Sequence, residues 1–148
     1  MIRLLSLLLI CNLHLLGGGF WTLTGLTKAN IYVANKIAYL NPQTIVKAKE
    51  TMLEVLEKNA IKTQEQDSPT LMLELEDIEN DESHYVYIKL ALGEEVQTFR
   101  KTKDQTFAIT YMGTDFIDVD ASDLDAAVLE SLNSLLLDFI EQFEDDKN

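Results

Sequence analysis

The stretch that decides the fold runs from residue 69 to residue 91 and reads PTLMLELEDIENDESHYVYIKLA. Leu71, Leu73 and Leu75 alternate with other residues at the two-residue period of a strand with one buried face. The polar residues between Ile78 and Ser83 are typical of a hairpin loop. Alternation resumes from His84 to Ala91. The stretch therefore predicts two antiparallel strands.

The strand pattern continues beyond this hairpin. Gly93 interrupts it in the manner of a β-bulge, and Val96 to Phe99 extend the second strand. Arg100 to Asp104 predict a turn, after which Phe107, Ile109 and Tyr111 restore the alternation. We therefore expect a further antiparallel strand that ends near Gly113.

A helix precedes the hairpin. Asn41 is suited to cap its free amide groups, and Pro42 suits the first helical position, where the missing N–H costs nothing. Apolar residues then recur at three- and four-residue spacing, at Ile45, Ala48, Met52, Val55 and Leu56. We expect the helix to end near Lys58, with Asn59 as a left-handed cap, and a strand to begin at residues 61–63.

The segment before this helix fits two structures. Ile31 and Val33 alternate as in a strand, whereas Leu26, Val33, Ile37 and Leu40 would also line one side of a helix, so both remain open. The crowding of β-branched and aromatic residues favours a strand over 28–39, with a break near Asn35.

The C-terminal helix has the clearest pattern. Ser122 and Asp125 have the spacing of a capping box, and nearby aspartates suit the positive end of the helix dipole. Its apolar stripe consists of Leu124, Val128, Leu132, Leu135, Leu136, Phe139, Ile140 and Phe143. The acidic tail, residues 144–146, is expected to point into solvent.

These elements predict an α+β fold of order β-α-β-β-β-α. It is a two-layer sandwich with a mainly antiparallel sheet of four to five strands and two helices on one face. No linker or repeat divides residues 20–148, so we expect a single domain.

The first residues have the layout of a secretory signal peptide. Arg3 is followed by an apolar run from Leu4 to Leu16 and by three glycines, which predicts a signal peptide over 1–19 and export to the periplasm. A retained membrane anchor is the first alternative, although the run is shorter than the roughly 20 residues of a spanning helix. A lipoprotein is the second, but Ile10 is a poor residue to precede a lipidated Cys11. Cleavage after Gly19 would leave a mature chain without cysteine.

The chain also resembles a broad set of uncharacterised small exported bacterial proteins. The likeness lies in residues 26–33, the helix end LEKNAI at 56–61, the YVY strand at 85–87, FRK at 99–101, residues 106–113 and LDFI at 137–140. It implies a strand for the first segment and a location in the periplasm or envelope. Members often carry tryptophan where this chain has Tyr111. The resemblance brings no catalytic residues with it.

The composition and net charge of the chain argue against nucleic-acid binding. The 148 residues are 47% hydrophobic, and 25 acidic residues against 12 basic ones give a net charge of −13, which disfavours nucleic-acid binding. The charge is uneven: residues 28–62 hold six lysines against three glutamates, whereas residues 114–148 hold eleven acidic residues against one lysine. This predicts a mildly basic first helix and a strongly acidic last one, a polarity that can orient a partner.

The sequence carries no convincing catalytic site. His84 is the one imidazole after the leader, and Ser83 beside it would point to the opposite face of a strand. No GxSxG, GxGxxG, Walker or HExxH motif is present. We therefore expect no enzyme and no cofactor.

Six oxygen-bearing side chains between residues 115 and 125 offer calcium ligands, namely Asp115, Asp118, Asp120, Ser122, Asp123 and Asp125. Their spacing does not match an EF-hand, since Asp123 stands where the loop requires glycine. No metal site is assigned, and calcium binding by this cluster remains open.

Two functions remain. The first is a non-enzymatic envelope protein that binds other envelope proteins or a second copy of itself, with Tyr85, Tyr87 and Phe99 as candidate binding residues on the sheet face that the helices leave open. Contact with a membrane is expected only if the leader is retained. The alternative is a carrier of a small apolar or lipid ligand between helices and sheet, which would need a buried pocket of several hundred cubic ångströms.

Overall fold

The elements follow the predicted order. The computed structural model describes residues 22–63, 69–79, 84–118, 120 and 122–147. Its elements are β1 (Asn30–Asn35), α1 (Pro42–Lys58), β2 (Thr70–Glu79), β3 (His84–Gln97), β4 (Gln105–Ile117) and α2 (Leu124–Asp145). The α+β class and the β-α-β-β-β-α order are therefore confirmed. The expected signal peptide (1–19), Cys11 and the centre of the β2–β3 loop lie outside the described residues.

The four strands form one mixed sheet in the order β1-β2-β3-β4. β1 pairs with β2 in parallel, Asn30 lying opposite Thr70. β2, β3 and β4 pair antiparallel, so the sheet is mainly antiparallel as expected. A parallel pair needs a crossover connection, which α1 supplies between β1 and β2.

Both helices pack on the same face of the sheet, where they share one core with it. Alternate residues of β2 and β3 are buried there: Leu71, Leu73, Leu75, Val86, Ile88, Leu90 and Leu92. The predicted stripe of α2 is buried against them, except that Ile140 is only partly buried. The rings of Tyr111 and Phe139 meet edge to face, 5.0 Å between centroids. Burial, and then the charge of Asp138, raise the pKa of Tyr111 to about 12.

The start of α1 is as predicted, but its end is not. The Asn41 side chain accepts a 2.9 Å hydrogen bond from the Gln43 N–H, and Pro42 takes the first turn. The left-handed cap is Ala60 (φ 60°), not Asn59 (φ −97°). Asn59 keeps a negative φ while its side-chain amide donates to the Val55 carbonyl oxygen at 2.8 Å.

Two short strand predictions also need correction. The strand expected at residues 61–63 is reduced to one parallel bridge between Lys28 and Lys62. β1 ends at Asn35, where the break is expected, but residues 36–39 do not continue as a strand. The Asn35 side chain bonds both the N–H and the C=O of Ile37, at 3.0 and 3.1 Å, and this local turn ends the strand. The helical alternative for this segment is wrong.

The start and the end of α2 differ from expectation. Its N-cap is Asp123, which makes no side-chain capping bond, so the Ser122–Asp125 capping box is wrong. Asp125 instead accepts hydrogen bonds from the start of α1. At the other end Asp146 is buried rather than solvated, because its carboxylate accepts a 2.8 Å hydrogen bond from the Leu23 N–H.

Candidate functional site

The sheet has one covered and one open face. We call the side that faces away from the helices the open sheet face. Its residues alternate along the strands: Tyr32 and Ala34 in β1; Met72, Glu74, Glu76 and Ile78 in β2; Tyr85, Tyr87, Lys89, Ala91, Gly93 and Glu95 in β3; and Phe107, Ile109, Met112, Thr114 and Phe116 in β4. Neither helix covers this face.

Four apolar residues line up across the open sheet face. Tyr32 lies opposite Met72, Met72 opposite Ala91, and Ala91 opposite Met112, so they form one row that crosses all four strands. We call this row the apolar stripe. The side chains at its two ends are 57% (Tyr32) and 62% (Met112) exposed. Between them Met72 is partly buried and Ala91 is fully buried, so the exposed part of the stripe lies mainly at its two ends.

An aromatic cluster lies on the same face, two rows along the strands from the stripe. Tyr87 and Phe116 are register partners whose ring centroids are 5.0 Å apart, and Phe116 is 63% exposed. Tyr85 lies one row further along, half-buried and opposite Ile78. Two of the three candidate binding residues, Tyr85 and Tyr87, are therefore on the open sheet face. Phe99 lies in the β3–β4 turn, beyond the end of the strand, with its side chain fully exposed.

A charged band lies next to the apolar stripe: Glu74 and Lys89 lie in the row between the stripe and the aromatic cluster, and Glu76 lies in the row of Tyr87. The Lys36 ammonium lies 2.9 Å from Glu74 Oε1 and 3.3 Å from Glu76 Oε1, and Lys89 contacts the other oxygen of Glu74. The hydrogen bonds from Lys89 and then Lys36 hold the pKa of Glu74 below its usual value. The same bonds raise the pKa values of both lysines. With two lysines and two glutamates, the band is formally neutral.

The position of the Phe107 ring on the open sheet face depends on Gly93 having no side chain. A Cβ at this position would lie 2.2 Å from Phe107 Cζ and 3.0 Å from Met72 Cε. The Phe107 ring therefore lies directly over the glycine, an arrangement in which an aromatic side chain covers the gap of a strand glycine. Only glycine leaves room for it.

The sequence does not show which β4 residues lie on the open sheet face, because the pairing of β3 with β4 contains one irregularity. The β3–β4 register shifts between Leu92 and Gly93: Leu92 faces Tyr111, Gly93 faces Ile109, and Thr110 between them has no partner. The bulge that Gly93 predicts is confirmed. The expectation that Ile109 and Tyr111 continue one alternation is wrong, because the extra residue puts Ile109 on the open sheet face and Tyr111 in the core.

Two aspartates of the 115–125 cluster, Asp115 in β4 and Asp125 in α2, are engaged with different elements. Asp115 accepts a 2.7 Å hydrogen bond from the Ser131 hydroxyl, and Asp125 accepts from α1. Across the described ranges, no three His, Cys, Asp or Glu residues form a group that could hold a metal ion.

Two pockets open at the ends of the sheet. The larger, about 540 Å³, lies between the end of β1 and the start of α1 and includes Ile37, Leu40 and Ile45. The smaller, about 210 Å³, lies between residues 22–28 and Pro69. Both open to solvent at the sheet ends, whereas the carrier alternative would place its ligand in a buried pocket between helices and sheet.

Within the described residues, no helix combines the length and the hydrophobicity that crossing a membrane requires. No protein-family model and no curated protein matches the chain. The resemblance to small exported bacterial proteins therefore stays a prediction from the sequence.

Proposed function

We propose that this protein is an exported, non-enzymatic envelope protein that binds other proteins through its open sheet face. The observation that carries the proposal is the apolar stripe, which crosses the whole sheet on the side away from both described helices. Its terminal side chains are more than half exposed, as are Phe107 and Phe116 on the same face, whereas the alternate leucines of β2 are packed in the core. A surface of this kind costs solubility, and proteins keep such surfaces where a partner covers them.

The distribution of charge supports the same use of the molecule. α2 carries six acidic residues and no basic one, whereas the band on the open sheet face is neutral. Within its observed bounds α1 holds three lysines and three glutamates, so it is neutral rather than mildly basic, and the lysine excess of residues 28–62 lies outside the helix. The acidic helix keeps the protein soluble while the opposite face stays free for a partner.

Export is the second part of the proposal, and its support is the leader pattern of residues 1–19. The test is fractionation of cells that express the full chain, followed by N-terminal sequencing of the protein. We expect periplasmic protein that begins at Phe20. A cytoplasmic protein with an intact leader would overturn this part.

Binding is tested by an affinity pull-down from the native envelope with the tagged protein. The probe variant is Tyr32→Ser with Met112→Ser, which removes the two exposed ends of the apolar stripe. The matched control is Val46→Ser with Leu137→Ser, since both residues are exposed apolar positions on the helices. We expect the same partners with the wild type and the control, and their loss with the probe variant. Equal capture by both variants would refute binding through this face.

A carrier function has less support, because both described pockets open to solvent at the sheet ends. Organic extraction and mass spectrometry of protein purified from its native cells distinguish the two functions. A stoichiometric apolar ligand would favour the carrier.

A further inference from the structure

The open sheet face has a residue arrangement that suits contact with the same face of a second copy. We propose that it packs against the same face of a second copy of this chain, and that the two sheets form the middle of a four-layer dimer with the helices outside. The inference rests on the proposed function, since it names the partner of the same face.

The arrangement of residues across the sheet supports this pairing. A twofold axis that runs parallel to the strands, between β2 and β3, places β1 of one copy over β4 of the other, and β2 over β3. Tyr32 then meets the partner's Met112, so an aromatic ring meets a thioether at each end of the stripe. Met72 lies over the partner's Ala91, which the residues around it in its own chain already cover.

The same axis matches the charges. Glu74 and Lys89 are register partners on β2 and β3, so the axis brings Glu74 opposite the partner's Lys89 and Lys89 opposite the partner's Glu74. Aligned sheets cross at about 30°, so this correspondence holds best in the middle rows, where the stripe and the band lie. A face that is complementary to itself in charge and at the two ends of its stripe fits a second copy better than an arbitrary apolar surface.

The net charge of the chain also favours this orientation. The six acidic residues of α2 lie in the helix layer, on the far side of each sheet. At about 10 Å between layers, two outer helix layers are about 30 Å apart, well beyond the Debye length of about 8 Å at physiological salt. Pairing through the helix layers would instead bring the two acidic helices together.

The area of the open sheet face is close to the area that each partner buries in a stable dimer. Four strands at about 4.8 Å spacing and about ten residues at 3.3 Å rise give roughly 600 Å² of projected area. The accessible area of a corrugated side-chain surface exceeds its projection, which brings it close to the roughly 800 Å² that each partner buries in a standard interface.

The experiment measures the mass of the protein, purified from cells that express the full chain, by sedimentation equilibrium up to about 100 μM, where a micromolar complex is saturated. The variants are Tyr32→Glu on β1 and Met112→Glu on β4, with Leu137→Glu on α2 as the control; Leu137 is 70% exposed. We expect a dimer for the wild type and the control. Each face variant should weaken dimerisation at least about tenfold, since the new charge is buried without a partner. Thermal melts verify that each variant is folded.

A rescue variant tests the register. In one chain Tyr32 and Met112 are three strands apart, about 14 Å, so lysine at one and glutamate at the other do not pair within a copy. Across the proposed interface they pair twice. The double variant Tyr32→Lys with Met112→Glu should therefore dimerise at least about tenfold more tightly than Met112→Glu alone.

Each other result overturns the inference in a distinct way. Sensitivity to Met112→Glu alone would indicate pairing through the β4 edge, and sensitivity to Tyr32→Glu alone through the β1 edge. Sensitivity to Leu137→Glu alone would indicate the helix layer, and a dimer that none of the three variants weakens would lie on another surface. A dimer weakened by both face variants but not regained by the double variant would refute the register. A monomer at all concentrations whose open sheet face still captures another protein would refute the second copy and leave the proposed function standing. A monomer without such capture would refute both.

Discussion

The Asp125 carboxylate accepts a 2.6 Å hydrogen bond from the Thr44 hydroxyl, which joins the start of α2 to the start of α1. The same oxygen accepts from the Asn41 N–H at 3.1 Å. One carboxylate therefore lies at the positive ends of two neighbouring helices, where helix dipoles favour a negative charge.

We expect Asp125→Ala to lower the free energy of unfolding by about 1–3 kcal/mol, because it leaves the buried Thr44 hydroxyl without its acceptor. Asp123→Ala is the control, since Asp123 caps α2 without a side-chain hydrogen bond. Its loss should stay below about 1 kcal/mol. Urea denaturation measures both values. Equal losses would mean that the contact between helix starts contributes nothing of its own.

Gly93→Ala should destabilise the protein by about 1–3 kcal/mol, because the new methyl group displaces the Phe107 ring. In a Phe107→Ala background the same change should be neutral or stabilising, since alanine is then the better strand residue. A double-mutant cycle by urea denaturation measures the coupling. An equal cost in both backgrounds would show that the ring is not what excludes a side chain at this position.

The charged band predicts a specific pH dependence. The pKa of Glu74 is lowered in the folded state by hydrogen bonds from Lys89 and Lys36, so its ionised form stabilises the fold. That stabilisation is present above the ordinary glutamate pKa of about 4.3 and is lost as the pH falls through the lower folded value. Glu74→Gln should be less stable than the wild type at pH 7, and the gap should close below about pH 4. A gap that is constant with pH would exclude the ionised carboxylate as its cause. The control is Glu95→Gln, which neutralises an exposed glutamate outside the charged band.

The two ends of the described chain are held together by Asp146. Asp146→Ala leaves the buried Leu23 N–H without an acceptor, so we expect a loss of about 1–3 kcal/mol and faster hydrogen exchange in residues 23–29. Asp145→Ala, at an exposed neighbour, should change neither. Unchanged exchange at Leu23 in Asp146→Ala would contradict this role.

Local patterns predict those parts of the fold that local physics fixes. The alternation of Leu71, Leu73 and Leu75 and the stripe of α2 are periodic over many residues, and Asn41-Pro42 begins α1 as expected. The failures come from interactions between segments that are distant in sequence. Asp125 accepts a hydrogen bond from α1 rather than capping its own helix. Asp146 accepts one from Leu23, 123 residues away in the sequence.

The candidate site was only partly predictable for the same reason. Tyr85 and Tyr87 follow from the alternation of β3, whereas the stripe depends on three strand registers at once. A single unpaired residue, Thr110, reverses the faces of the residues on either side of it. No periodic pattern in β4 alone contains that information.

The parallel pairing of β1 has a consequence for the order of assembly. Asn30 reaches Thr70 across forty residues, while β2, β3 and β4 are joined by successive hairpins. Because distant contacts require the larger loop closure, we expect the hairpin strands to form first and β1 to dock last. Tyr32 arrives with β1, so the stripe is complete only when the chain has finished folding. A partly folded chain thus lacks one end of the surface on which pairing depends, and only finished copies present a complete face to one another.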